Sequence, residues 1–180
     1  MQPTRDMIFS GMRFKDFGSD NCYLMEESRL YQKSLKHLGY KTVEFVVSHS
    51  VANMEEHKLV FVEARTTLRP RSTKTRFDNE ITDISQKFMD ALQIICGVWH
   101  GGRKGKVPLP TGFSRFRDDG RKIIFLLVVK NGDKKELLTV ADSIYRKLLK
   151  ENRLWKFEVK VLNEGLAIKE NLVLHGNIDS

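Results

Sequence analysis

Ile123-Ile124-Phe125-Leu126-Leu127-Val128-Val129 is an unbroken run of seven apolar residues. A strand with one wet face alternates apolar and polar side chains. A run without alternation therefore predicts a central strand covered on both faces, as in a parallel or mixed sheet. Downstream, Asn131-Gly132 turns the chain, and Asp133 with Glu136 forms a capping-box pattern. Leu137, Val140, Ala141, Ile144 and Leu148 then recur at helical spacing. Trp155, Phe157, Val159 and Val161 alternate with Lys156, Glu158 and Lys160, which predicts a half-buried strand. A short helix over 164–169 and a small strand over 172–174 close the pattern.

Upstream of the run, Ile81, Ile84, Phe88, Leu92, Ile95 and Trp99 fix the clearest helix, over 79–99. Glu80 and Asp83 fall in its expected first turn, where carboxylates favour the positive end of the dipole. Val- and Phe-rich segments at 41–48 and 58–66 predict two strands of a long-looped hairpin. Leu24, Leu30, Tyr31, Leu35 and Leu38 suit a helix over 21–38, with Gly39 at its C-cap. The first twenty residues read as a turn-rich approach. The order predicts a single α/β domain over 1–180, a layered mixed sheet with flanking helices.

The net charge of +8 is concentrated. Residues 1–62 hold eight bases and eight acids, whereas 65–76 hold five bases and no acid. The Gly/Pro-containing connector at 100–122 holds seven bases against Asp118 and Asp119. Arg69, Arg71, Lys74 and Arg76 in one segment, and Arg103, Lys104, Lys106, Arg115 and Arg117 in the other, are the candidate contacts to a nucleic-acid backbone. Phe113 and Phe116, interleaved with arginines, either stack bases or anchor the connector to the core. Basic loops also serve solubility alone, or meet an acidic protein partner. Two cysteines support no disulfide framework, and no apolar stretch reaches the length of a membrane span, so a cytoplasmic, non-membrane protein is expected.

Side chains alternate along a strand, so in Phe61-Val62-Glu63-Ala64-Arg65 the acid and the guanidinium share one face. Such a pair can hold a divalent cation and steady a phosphate, or simply form the solvated side of the strand. The arrangement resembles the Glu-x-Lys strand of the PD-(D/E)xK nuclease superfamily, with a preceding helix that carries acidic residues (Glu26, Glu27), an adjacent strand and a long helix after it, over residues 22–99. The resemblance implies a restriction-endonuclease-like sheet, Glu63 and Arg65 as catalytic residues, and Mg held by Glu63; Glu44, and Glu26 or Glu27 from the preceding helix, are the further acids open to the ion. Two positions depart from that pattern. Ser48-His49-Ser50 stands where the family's other acid is expected, and Arg65 stays protonated where the family has lysine. An antiparallel partner would bring Glu44 beside the end of the next strand. The functions open on these residues are a Mg-dependent nuclease-like domain acting on DNA or RNA, a noncatalytic nucleic-acid binder, and an interaction or scaffold domain, including a homo-oligomer.

Overall fold

The computed structural model describes residues 7–50, 57–70, 72–100, 109–114 and 122–175. The apolar run falls in a strand, β6 (Lys122–Val129), flanked by β5 (His57–Arg65) and β7 (Glu158–Asn163) and parallel to both. Beyond β5 lie β4 (Phe45–Ser50) and β3 (Cys22–Leu24), each antiparallel to its neighbour, so the mixed five-stranded sheet has the order β3-β4-β5-β6-β7. Every residue from Ile123 to Val129 is buried because both faces are covered. Phe125, Leu127 and Val129 pack with α1 (Lys74–Trp99) and α3 (Lys134–Lys147). Ile124, Leu126 and Val128 pack under the hairpin of β1 (Met7–Phe9) and β2 (Met12–Phe14) and under α5 (Glu164–Lys169).

That hairpin was hidden in the turn-rich approach by strands of three residues each. Ser10 and Gly11 both take positive φ (49° and 70°), the conformation of a tight two-residue hairpin turn. Ser10 Oγ donates to Ala64 O at 2.9 Å, fastening the turn beneath β5.

The helix expected over 21–38 is two elements. Cys22 pairs with Val47 and Leu24 with Phe45 at the sheet edge, where tertiary pairing overrides a helical pattern carried mainly by residues 30–38. Glu26 and Glu27 occupy the turn that follows. A π-helical turn at Tyr31–Leu35 and a 3-10 turn at Lys36–Leu38 come next, ending at left-handed Gly39 (φ 80°). The strand after it begins at Phe45, four residues later than the pattern suggested.

α1 begins at Lys74, a turn earlier than its apolar stripe suggested, because Phe77 also enters the core. Its first turn carries no acid, so Glu80 and Asp83 have other partners. Asp133 caps α3 by accepting from Lys135 N at 3.0 Å. α4 (Leu149–Trp155) takes Trp155 out of the following strand, and left-handed Lys156 turns the chain into β7. The small strand expected over 172–174 is a single bridge between Val173 and Phe14.

This topology sorts the connections by end. The end of β3, the start of β4, the end of β5 and the start of α1 share one end of the sheet. α1, 26 residues and so about 39 Å long, returns the chain to the other end, where Lys122 stands beside Lys58. α2 (Thr111–Ser114) docks at that far end, through Ser48 Oγ donating to Gly112 O at 2.8 Å. A Cβ on Gly112 would lie 2.6 Å from Asp20 O, so this approach requires glycine. Phe113 is fully buried against Tyr23, which makes it an anchor and not a base-stacking platform. Among the described residues no helix is long and apolar enough to cross a membrane.

Candidate functional site

Glu63 and Arg65 share a face, as the alternation requires, but that face is not wet. It looks toward α1, and Glu63 is 1% exposed. Two cations hold the same carboxylate oxygen. Lys87 Nζ, from α1, donates to Glu63 Oε1 at 2.9 Å. Arg65 Nε lies 2.9 Å from that oxygen as an ion pair whose N–H is not aimed at it. Glu63 Oε2 is buried without a hydrogen-bond partner. A buried, unpartnered carboxylate oxygen is costly, and it is the atom a missing ligand would engage.

The antiparallel register brings Glu44 to this point. Phe45 pairs with Val62, and Glu44 just before it donates its N–H to Val62 O at 3.1 Å, which holds its carboxyl within electrostatic reach of Glu63. Its carbonyl accepts from Met25 N at 3.1 Å, which draws in neighbouring Glu26. Burial and then the charges of Glu63 and Glu26 push the Glu44 carboxyl up to about 7, against the pull of Lys87 and Arg65. Glu63 is also raised, since burial outweighs the attraction of Lys87 and Arg65.

α1 supplies the rest of the framework. Asp83 accepts from Arg65 Nη2 at 2.9 Å and from Lys41 Nζ at 2.6 Å. Burial opposes its ionisation, yet these two cations lower its pKa overall. Asp90 is buried, accepting from Lys41 N at 2.9 Å and Gln86 Nε2 at 2.6 Å, and so pins the segment that leads to Glu44. Lys87, Asp83 and Asp90 were absent from the sequence-based candidates. Their signal was a second stripe in α1, Glu80-Asp83-Lys87-Asp90, at the same spacing as the apolar one.

Among the described residues no group of three His, Cys, Asp or Glu side chains is arranged to hold a metal ion. Magnesium asks for less, because it retains waters and takes one or two carboxylates with substrate oxygens. The orphaned oxygen of Glu63 and the hard donors of Glu44 and Glu26 fit that chemistry. So does the charge of the cluster, in which the carboxyls Glu26, Glu44, Glu63, Asp83 and Asp90 gather around Lys41, Arg65 and Lys87 among the described residues.

Arg69, Lys74 and Arg76 are exposed on the connector and first turn of α1, at the same end of the sheet. Arg69 N donates to Glu80 Oε2 at 2.7 Å, one helical turn from Asp83. Arg71, Arg103, Lys104, Lys106, Arg115, Arg117 and Phe116 lie outside the described residues. The described flanks of the 100–122 connector, His100 and Lys122, belong to the opposite end of the sheet.

The raised carboxyls carry a pH signature. Between the ordinary value of 4.5 and about 7, native Glu44 holds a proton that the unfolded chain has released. The native state then binds more protons, so stability falls as pH rises through that window, and Glu63 acts in the same sense. Glu44→Gln is expected to flatten the slope by up to about 1.4 kcal/mol per pH unit, read from urea unfolding at a series of pH values. An unchanged slope would mean that Glu44 titrates as in water.

The chain matches no protein-family model, no curated protein and no solved structure in comparisons with all three.

Proposed function

We propose that this is a nuclease-like α/β domain that engages nucleic acid and hydrolyses its phosphodiester bonds with magnesium. The observation that carries the reading is the buried Glu63, with one oxygen held by two cations and the other unpartnered, within electrostatic reach of Glu44. The resemblance of the Glu63–Arg65 strand to the PD-(D/E)xK superfamily supports it. So does a sheet in sequential order whose second strand alone runs against the others, followed by a long helix.

Glu63, through its free oxygen, and Glu44, with Glu26 nearby, would hold the ion. Bound there, magnesium would acidify a water and neutralise charge developing on the phosphate. The chain's own residues do the rest. Lys87 and Arg65 fix the orientation of the Glu63 carboxylate. Arg65 stays charged at all working pH values, so its role is to attract and orient a phosphate. Lys87 is the one lysine in contact with Glu63 among the described residues, on a strand motif that itself carries arginine. Asp83 and Asp90 hold Arg65 and Lys41, and with them the geometry between the strands and α1.

The test is cleavage of labelled DNA and RNA by the full chain with magnesium, with manganese, and with chelator. Cleavage that appears with either metal and vanishes with chelator is the expected result. No cleavage of either polymer under any of these conditions would remove the catalytic reading.

A second reading, a protein-interaction domain, is favoured by Leu138 (81% exposed), Tyr145 and Leu149 along α3 and the start of α4, with Leu154 (76%) beyond. Sedimentation that shows a stable self-associated species without nuclease activity would favour it.

A further inference from the structure

The charge tally of residues 1–62 conceals a local imbalance. From Ser28 to Val43 the chain carries Arg29, Lys33, Lys36 and Lys41 and no acid, because the balancing carboxylates Glu26, Glu27 and Glu44 bracket the segment. The helical turns over 29–38 give that imbalance a direction. Leu30 is buried and Tyr31 and Leu35 pack against the core, while Arg29, Lys33 and Lys36, spaced by four and three residues, are exposed together on the outer side. Lys41 is already committed to Asp83, but no ion pair among the described residues engages the other three. Like charges at such spacing repel and cost helix stability, so this face gains from a bound polyanion.

Its position relates it to the carboxylate cluster. The segment leaves β3 at Leu24 and enters β4 at Phe45, both at the end of the sheet where Glu44 and Glu63 meet. Gln32 Nε2 donates to Glu26 O. Tyr31 donates through its hydroxyl to Tyr40 O at 3.2 Å, and that hydroxyl lies within electrostatic reach of Glu26, Lys87 and Asp90. Arg69, Lys74 and Arg76 are exposed at the same end of the sheet. Arg76 is seven residues before Asp83, about 10 Å along α1.

We propose that Arg29, Lys33 and Lys36 form the second wall of a phosphodiester-backbone site whose first wall is Arg69, Lys74 and Arg76, with the Glu44–Glu63 carboxylates on the floor between them. The proposal rests on the nuclease-like reading and extends it by naming where the strand is gripped. The ligand is the backbone of a nucleic acid, DNA or RNA, recognised by charge without base readout. It uses only described residues; Arg103, Lys104, Lys106, Arg115 and Arg117 of the other basic segment lie outside them.

The experiment uses the full chain without magnesium. Fluorescence anisotropy follows binding to a labelled DNA duplex and to a labelled single-stranded RNA across a salt series. The triple variant Arg29→Ala, Lys33→Ala, Lys36→Ala is expected to bind about tenfold to a hundredfold more weakly near physiological salt. Its plot of log affinity against log salt should be shallower by about 2 to 3, since each lost phosphate contact removes about 0.7 to 0.9. The charge-preserving triple Arg29→Lys, Lys33→Arg, Lys36→Arg should bind as wild type, which separates charge from packing. The arm that shows the larger loss identifies the backbone. Wild-type affinity and slope in the alanine triple overturns the wall, as does a wild-type chain that binds neither polymer. Failure of the underlying reading shows separately, as wild-type protein that binds the polymers but cleaves neither with magnesium or manganese.

Discussion

If the domain cleaves nucleic acid as proposed, replacing Glu63 by Gln is expected to lower magnesium-dependent cleavage at least about 100-fold and to leave the chain folded. Gln has the shape of Glu, and its carbonyl oxygen can still accept from Lys87 Nζ where Glu63 Oε1 does now, at 2.9 Å. What disappears is the negative charge and, at the position of the unpartnered Oε2, an acceptor. Replacing that oxygen with an NH₂ group puts donors where a cation would sit, so the proposed affinity for magnesium is expected to fall along with the rate. The fold is spared for a related reason. Burial already works against the charged form of Glu63, so a neutral isostere removes a desolvation cost while it leaves Lys87 and Arg65 without their shared anion. Rates measured at saturating magnesium, magnesium binding by calorimetry, and circular dichroism together make the distinction. A folded Glu63→Gln chain that cleaves at the wild-type rate would take this carboxylate out of the chemistry.

The same residue shows how far the sequence could be read. Alternation was enough to put Glu63 and Arg65 on one face and Val62 and Ala64 on the other, and the two core clusters divide along that line. It could not say that the Glu63 face would be dry. That depends on α1 lying across β5, and on Asp83, Lys87 and Asp90 forming a charged stripe beside the apolar one. Glu44 was legible only as a conditional, because its place near Glu63 follows from the register of β4 on β5 and from a strand that starts at Phe45. Elements with long, regular patterns were read with small boundary errors, as in β5, β6 and α1. Strands of three residues have no period to detect, so β1, β2 and β3 were missed. The excursion between β3 and β4 was misread for a further reason. A helical pattern in its second half was extended over residues that the sheet edge claims.

The largest loss of stability is expected from Phe125→Ala, at about 3–5 kcal/mol. Phe125 is fully buried at the middle of β6, and three rings converge on it. Phe88 of α1 stacks on it at 4.8 Å and 8°, Phe157 lies at 4.3 Å, and Phe61 of β5 meets it edge-on at 5.5 Å. These contacts join the central strand to α1 and to the strand that carries Glu63, so truncation leaves a cavity that neither backbone can close without moving. A domain of ordinary stability has about 5–15 kcal/mol to lose, so the variant would sit near its unfolding threshold. Phe125→Leu keeps most of the volume and forfeits the ring contacts, and its loss should be the smaller of the two. Equilibrium unfolding in urea, with the slope held constant between variants, measures both. A loss below about 1 kcal/mol for Phe125→Ala would mean that the site can collapse, and that the sheet and α1 are not locked through this ring. The consequence reaches the site, because Lys87 is one residue before Phe88 and Glu63 two residues beyond Phe61. The distance between the ammonium and the carboxylate is therefore set by the same stack, and Phe125→Leu should weaken magnesium binding more than its effect on stability alone predicts.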